Sequence, residues 1–253
     1  MSAEQKQRHL GVSSDQVGKY VLMPGDPGRC EPIAAFLDGA VHVATNREFS
    51  TWTGTLDGTT VSVVSTGVGS PSAAIAVEEL HKIGAHTFIR VGTSGAMQPD
   101  IVHGELAIVT GAIRDEGTSR QYLPIEFPAV ADGAVVAALT SAARQANLPH
   151  RLGISHSKDS FYGETETARM PLAGTLAERW NAWVAGGAIC SEMESSAIFI
   201  LSSIYGTRAG GIMQMHAGGA PGNQNALLST AIGAVRLLIA RDRADSALEG
   251  HSA

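Results

Sequence analysis

Two cysteines in 253 residues, Cys30 and Cys190, form neither a CxxC pair nor any metal-ligand spacing. That excludes a disulfide framework and a cysteine-held metal, and both thiols read as reduced core residues. No apolar run approaches the roughly 18 residues of a membrane span. The first nine residues, Met1 to His9, are polar where a signal peptide carries its apolar centre. The expectation is a cytoplasmic protein. Lysine and arginine never cluster, and the formal net charge is −6, so no nucleic-acid or membrane surface is expected and the partner implied is a small molecule. Charged residues are also scarce, 17% against 44% apolar, which suffices for one well-buried core. With no repeat or linker to divide it, 1–253 reads as a single domain whose polar tail, 242–253, frays.

What is present alternates. β-type runs at 20–23, 60–66, 87–91, 106–110, 152–156 and 209–215 are interleaved with helical patterns at 71–83, 131–146, 171–185, 193–205 and 226–240. This is the pattern of a sheet with helices on its faces. Asp57-Gly58, between two β-type runs, spells a type I′ hairpin, so part of the sheet is antiparallel. Pro71 and Gly84 bracket the first helix in the favoured order, and Gly206 closes the fourth.

Several turns carry chemistry. Gly25-Asp26-Pro27-Gly28-Arg29 joins the first strand to a helix that buries Cys30, Ile33, Ala34 and Leu37. Its free amides suit an anion, although the same turn serves as a solvated surface loop. Gly67-Val68-Gly69-Ser70-Pro71-Ser72 also joins strand to helix, but Ser72 stands where a dinucleotide fingerprint needs its third glycine. Arg90 lies where the ribose-binding acid belongs, so no dinucleotide is expected. Arg90-Val91-Gly92-Thr93-Ser94-Gly95 reads as a third turn, offering a guanidinium and hydroxyls to phosphate, with a buried structural arginine as the alternative. Arg47 adds a guanidinium beside Glu48. In Ser191-Glu192-Met193-Glu194-Ser195, two acids open an apolar helix. They either cap its dipole or accept from ribose hydroxyls, with Met193 against the sugar.

In their order and spacing these segments resemble the uridine phosphorylase branch of the nucleoside phosphorylase family, from about residue 9 to 241. Ser65-Thr66-Gly67-Val68-Gly69, Ile75-Ala76-Val77-Glu78-Glu79-Leu80 and Leu123-Pro124-Ile125-Glu126-Phe127-Pro128 agree as well. The resemblance implies a three-layer α/β/α sandwich around a mixed, partly barrel-like sheet. It also implies a homohexamer built as a trimer of dimers, with active sites shared between subunits. The activity implied is phosphorolysis of a nucleoside to free base and ribose 1-phosphate, in nucleoside catabolism and salvage. Inorganic phosphate is then the co-substrate and no cofactor is required. By position, Gly25, Arg29, Arg90 and Thr93 would bind phosphate, with Arg47 from the neighbouring subunit. Met193, Glu194 and Thr93 would hold the ribose, with His9 from the neighbour near its 5′ hydroxyl. Arg29, Arg90 and Glu194 would carry catalysis. Phe161 would stack on the base, with Ser94 and Gly95 lining its pocket. Glu48, Val68 and Ser72 match positions that in some relatives bind a monovalent cation such as K+ at the dimer interface.

The sequence departs from that pattern at the base. Uracil-specific members carry a glutamine and an arginine after the stacking phenylalanine. Here Phe161-Tyr162-Gly163-Glu164-Thr165-Glu166-Thr167 presents Thr165 and Thr167 at those places, flanked by Glu164 and Glu166. A further arginine after residue 215 is also missing, the segment reading Met215-His216-Ala217. Base contacts are therefore expected from Glu164, Thr165, Glu166, Thr167, Glu192 and His216. Uridine is favoured by overall likeness, with a purine or modified pyrimidine left open. A nucleoside hydrolase would have little use for three arginines around one anion. A non-catalytic nucleoside-binding protein stays in view.

Overall fold

The computed structural model describes residues 5–218 and 223–249. Ten strands form one sheet: β1 (Tyr20–Met23), β2 (Asp38–Asn46), β3 (Phe49–Leu56), β4 (Thr59–Val64), β5 (Thr87–Ala96), β6 (Leu106–Asp115), β7 (Ala129–Val130), β8 (His150–Lys158), β9 (Cys190–Glu192) and β10 (Arg208–His216). The helices are α1 (Cys30–Ala34), α2 (Ser70–Lys82), α3 (Gly133–Gln145), α4 (Phe161–Thr165), α5 (Ala173–Ala185), α6 (Ser195–Tyr205) and α7 (Gln224–Glu249).

Strands β5, β10, β6, β8 and β9 pair in a closed ring, and β1, β4, β3 and β2 extend from β5 as an open wing. The ring makes this mixed sheet barrel-like, because β10 runs parallel to β5 but antiparallel to β6. Helices cover both faces. Successive residues of β1 point to opposite sides, Val21 and Met23 into a core with α2 and α6, Tyr20 and Leu22 into a core with α1, α3 and α7. Burial on both faces explains why β1 is continuously apolar. At Gly210 the approach of α3 is so close that a Cβ would lie 2.4 Å from Val135 Cγ1.

Asp57 and Gly58 both take positive φ, 51° and 73°, as the hairpin between β3 and β4 requires. Two expectations change. The stretch Arg90 to Gly95 is no turn: β5 continues to Ala96, paired with β10 as far as Gly95 opposite His216. Its glycines are ladder positions where neighbours crowd, a Cβ on Gly92 lying 2.7 Å from Met213 Sδ. Where the sequence reads 242–253 as a fraying tail, α7 extends over 242–249, whereas 250–253 lie outside the described residues. Asp242 anchors that helix by accepting from the Tyr20 hydroxyl and from Arg208 Nη1 at 2.8 Å. No helix among the described residues is long and apolar enough to cross a membrane.

Candidate functional site

Ligands of open α/β sheets sit beyond the carboxyl ends of parallel strands. Here the parallel strands β1, β5 and β10 end at Met23, Ala96 and His216, and β8, of the opposite sense, ends at Lys158; together these ends gather most of the residues singled out in the sequence.

After β1, the Asp26 carboxylate accepts from Gly28 N at 2.8 Å and closes the turn, and Pro27 opens a short 3-10 turn ending at Arg29. This turn faces Arg90. A Cβ on Gly25 would stand 3.5 Å from both Arg90 terminal nitrogens, so glycine lets the backbone pass beside the guanidinium. Arg90 is buried. Its Nη2 donates to Glu194 Oε2 at 2.6 Å, while Nε is buried with no hydrogen-bond partner among the described residues. Burial and the neighbouring Arg90 charge lower the Arg29 pKa. Two guanidiniums thus share a cavity of about 410 Å³ with Gly25, Thr93, Glu48 and Glu194. The cavity holds both signs, since Arg90 is paired with Glu194 and the carboxylates of Asp26 and Glu48 also line it.

The two acids before α6 divide. Glu194 Oε1 accepts from Gly69 N at 2.6 Å, which fixes its carboxylate between the glycine turn and Arg90 at the cavity wall. Glu192, expected at the base, is instead spent on the fold. Its Oε2 accepts from the amides of Glu194 and Ser195, each at 2.8 Å, and its Oε1 from the hydroxyls of Ser155 and Ser157. Of the two alternatives for these acids, Glu192 takes helix capping, while Glu194 stands at the cavity wall. Met193 O accepts from Ser70 Oγ at 2.9 Å, tying the ribose-type segment to the start of α2.

The hairpin between β2 and β3 turns at Arg47, which takes a positive φ of 56°. Glu48 Oε1 accepts from Ser72 Oγ at 2.7 Å, and hydrogen bonds hold the Glu48 pKa below its ordinary value. Gly67 fits against this hairpin with φ +69°, where a Cβ would lie 2.5 Å from Glu48 Cγ. Val68 is exposed at the cavity rim. His9 Nδ1 lies 2.7 Å from Glu79 Oε1, and Asn46 Nδ2 donates to His9 O at 2.7 Å. His9 therefore packs beside the Arg47 hairpin, and neither residue lines the chain's own cavity.

A second cavity, of about 590 Å³, opens at the ends of β5 and β8 under α4 and α5. Glu164, Thr165 and Thr167 line it, with Phe161 half exposed nearby. Both threonine hydroxyls donate back into their own turn, Thr165 to Phe161 O at 3.2 Å and Thr167 to Gly163 O at 2.8 Å. Glu166 pairs with Arg169 on the outside and does not line this cavity, because the α4 turn carries it away from Glu164. Ser94 is buried in β5, and Gly95 lies against Glu164, whose Oε1 would be 3.5 Å from a Cβ there. His216 stands exposed at the end of β10, its ring 5.2 Å from His103, with its pKa lowered by burial, His103 and Arg29.

Sequence reasoning missed the groups that hold Glu164. Lys158 is buried at the end of β8, and its Nζ lies 2.7 Å from both Ser191 Oγ and Glu164 Oε2. Ser191 also donates to that oxygen. His156, two residues before Lys158 and so on the same strand face, sits 3.1 Å from both Ser191 Oγ and Asp115 Oδ2, with the Trp183 ring tilted against it at 4.0 Å between centroids. Burial opposes charge on both members, yet Asp115 and Glu164 raise the His156 pKa, while His156, Lys158 and Ser191 lower that of Glu164. The signal was present: two cationic side chains at i and i+2 on a strand end, immediately before Phe161.

Residues 19–238 match the family model described as the Phosphorylase superfamily. The chain is 52% identical over 205 residues to a uridine phosphorylase of Treponema pallidum (strain Nichols), covering 81% of this chain and 80% of the relative. It is 44% identical over 209 residues to a uridine phosphorylase of Thermococcus kodakarensis, covering 82% and 76%. A guanosine phosphorylase of Halorubrum lacusprofundi is 39% identical over 219 residues, covering 87% and 86%.

Proposed function

The chain belongs to the phosphorylase superfamily and is a nucleoside phosphorylase, a pentosyltransferase, and on that premise we propose that it cleaves uridine with inorganic phosphate bound by Gly25, Arg29, Arg90 and Thr93 and ribose held by Met193 and Glu194. The observation that carries this division is the bond between Arg90 and Glu194, which ties an anion-seeking group to a hydroxyl-seeking one within a single cavity. As the glycosidic bond breaks, its electron pair leaves with the base, and a phosphate oxygen lone pair forms the new bond to C1′. The products are ribose 1-phosphate and free base, and no protein nucleophile is needed. Holding the two reactants in near-attack geometry lowers such a barrier by up to roughly 7–11 kcal/mol. The convergence of Arg29 and Arg90 favours phosphate over water as the attacking group.

Uridine is proposed because the two relatives at 52% and 44% identity are uridine phosphorylases. Guanosine is the second reading, supported by the guanosine phosphorylase that aligns with 87% of the chain. The positions of His9 and Arg47, adjacent to each other and off their own cavity, support a dimer in which a neighbour supplies both, within a hexamer. Glu48, Ser72 and the Val68 carbonyl offer three oxygens per chain, half of what a hard cation takes, so a K+ site there would need the same residues of a second chain. The test is release of base from uridine, thymidine, cytidine, inosine, guanosine and adenosine, with and without phosphate. Uridine turnover that requires phosphate and yields ribose 1-phosphate is expected; release in water alone would favour a hydrolase, and release from none would overturn the reading.

A further inference from the structure

The two threonines at the expected base-reading positions spend their hydroxyls on their own turn, so the base must be read by other groups. Three observations converge on one pair. Lys158 uses two of its three ammonium N–H groups, on Ser191 and Glu164, and the third has no partner among the described residues. Among the described residues, every side-chain contact of Glu164 goes to Oε2, leaving Oε1 beside Gly95 with acceptor capacity unspent. The Phe161 ring, which would stack on the base, has its centroid 5.9 Å from Lys158 Nζ. Along β5, Thr93 on the anion cavity and Gly95 beside Glu164 are two residues apart, about 7 Å. That spacing accommodates one ribose between phosphate and base.

We propose that Lys158 and Glu164 form the base-reading pair of this enzyme. Lys158 donates to a ring carbonyl oxygen, and Glu164 Oε1 accepts from the adjacent ring N–H, so the pair selects bases with a C=O next to an N–H over the aminated cytosine and adenine. This rests on the phosphorolysis reading above. As the C1′–N bond breaks, its electron pair delocalises onto that carbonyl oxygen, and the departed base anion takes its proton from water. The Lys158 hydrogen bond strengthens as charge develops, which is the property that accelerates a reaction. Glu164 neutralises the buried ammonium before substrate arrives. A purely structural role, tethering α4 to β8, would not depend on how readily the base leaves.

The experiment compares kcat/KM for uridine and 5-fluorouridine, whose fluorinated base is the better leaving group, in the unmodified enzyme, K158M, K158R and the charge-free K158M/E164Q. Inosine and 7-methylinosine, whose base departs neutral, replace them if the nucleoside panel selects a purine. K158M is expected to lose on the order of 10²–10³-fold on the poorer leaving group, and much less on the better one. K158R should recover most of both. The double variant, which leaves no unpaired buried charge, should repeat the K158M pattern if the single variant does not fold. Equal losses on both substrates, no loss, or a preference of the unmodified enzyme for cytidine or adenosine would overturn the pair while leaving phosphorolysis intact. Absence of phosphate-dependent release from every nucleoside would instead remove the functional reading on which the pair rests.

Discussion

Arg90 and Glu194, 104 residues apart in sequence, meet at 2.6 Å with both side chains buried. β5 supplies one and the entrance to α6 the other, so the contact exists only when the strand ring is closed. Removing one partner of a buried ion pair leaves an uncompensated charge and costs about 3–5 kcal/mol. E194A is therefore expected to lose that much in urea denaturation. E194Q, which keeps an acceptor for Gly69 N, should lose less stability but raise KM for the nucleoside. R90Q should raise KM for phosphate most. Equal effects on the two KM values in both variants would contradict the division of roles.

The His156 and Glu164 shifts predict a bell-shaped stability profile. His156 has its pKa raised above the ordinary 6.5, so its contribution is complete below that value and is lost as pH rises through the folded-state pKa. Glu164 is held below its ordinary 4.5, so its contribution is present above that value and is lost as pH falls through the folded-state pKa. Both contribute fully between about pH 4.5 and 6.5. Thermal melts across pH 3.5 to 9 should show the stabilisation conferred by each residue, measured against H156F and E164Q, declining on opposite sides of that window. An H156F melt that retains the full alkaline decline would contradict the assignment.

Sequence alone revealed what is local. Asp57-Gly58 and the Gly25 to Arg29 turn were readable because a turn is decided by a few adjacent residues. Arg90 to Gly95 looked like a turn from its glycines and hydroxyls, yet β1, β9 and β10 all bond to β5, and tertiary pairing overrides composition. The assignment of Glu192 and Glu194 was undecidable locally, because it depends on Ser155 and Ser157 from β8 and on Gly69 from the turn before α2. The partners of Lys158 are not legible locally, because Ser191 comes from β9 and Glu164, though close in sequence, is folded back onto it by the α4 turn.

If active sites are shared, R47A and R90A should complement each other. Each variant alone lacks one guanidinium at every site, because Arg47 would act on the neighbour's cavity and Arg90 on its own. In a randomly reassociated mixture, a mixed dimer carries one site with both defects and one with neither, so about one site in four is restored. The check is phosphorolysis before and after co-refolding. Activity no higher than the average of the parents would exclude sharing through Arg47.

The tail is testable through Asp242. Its carboxylate accepts from Arg208 Nη2 at 2.6 Å and from the Tyr20 hydroxyl, clamping α7 across the starts of β1 and β10. Burial and then Asp242 push the Tyr20 pKa up to about 12, so the phenol stays a donor throughout the accessible pH range. Asp242 itself is held below its ordinary carboxylate value, mainly by Arg208. D242A should cost roughly 1.5–3 kcal/mol, the range for hydrogen bonds to charged groups, and a chain ending at Arg241 should lose at least as much. D242N keeps an oxygen for one donor and should fall between. All three sit at the end of the sheet opposite the anion cavity, so kcat/KM at temperatures well below the melt should stay within a factor of about two of the parent. A large kinetic effect with little change in melting temperature would mean that α7 communicates with the site, which this placement argues against.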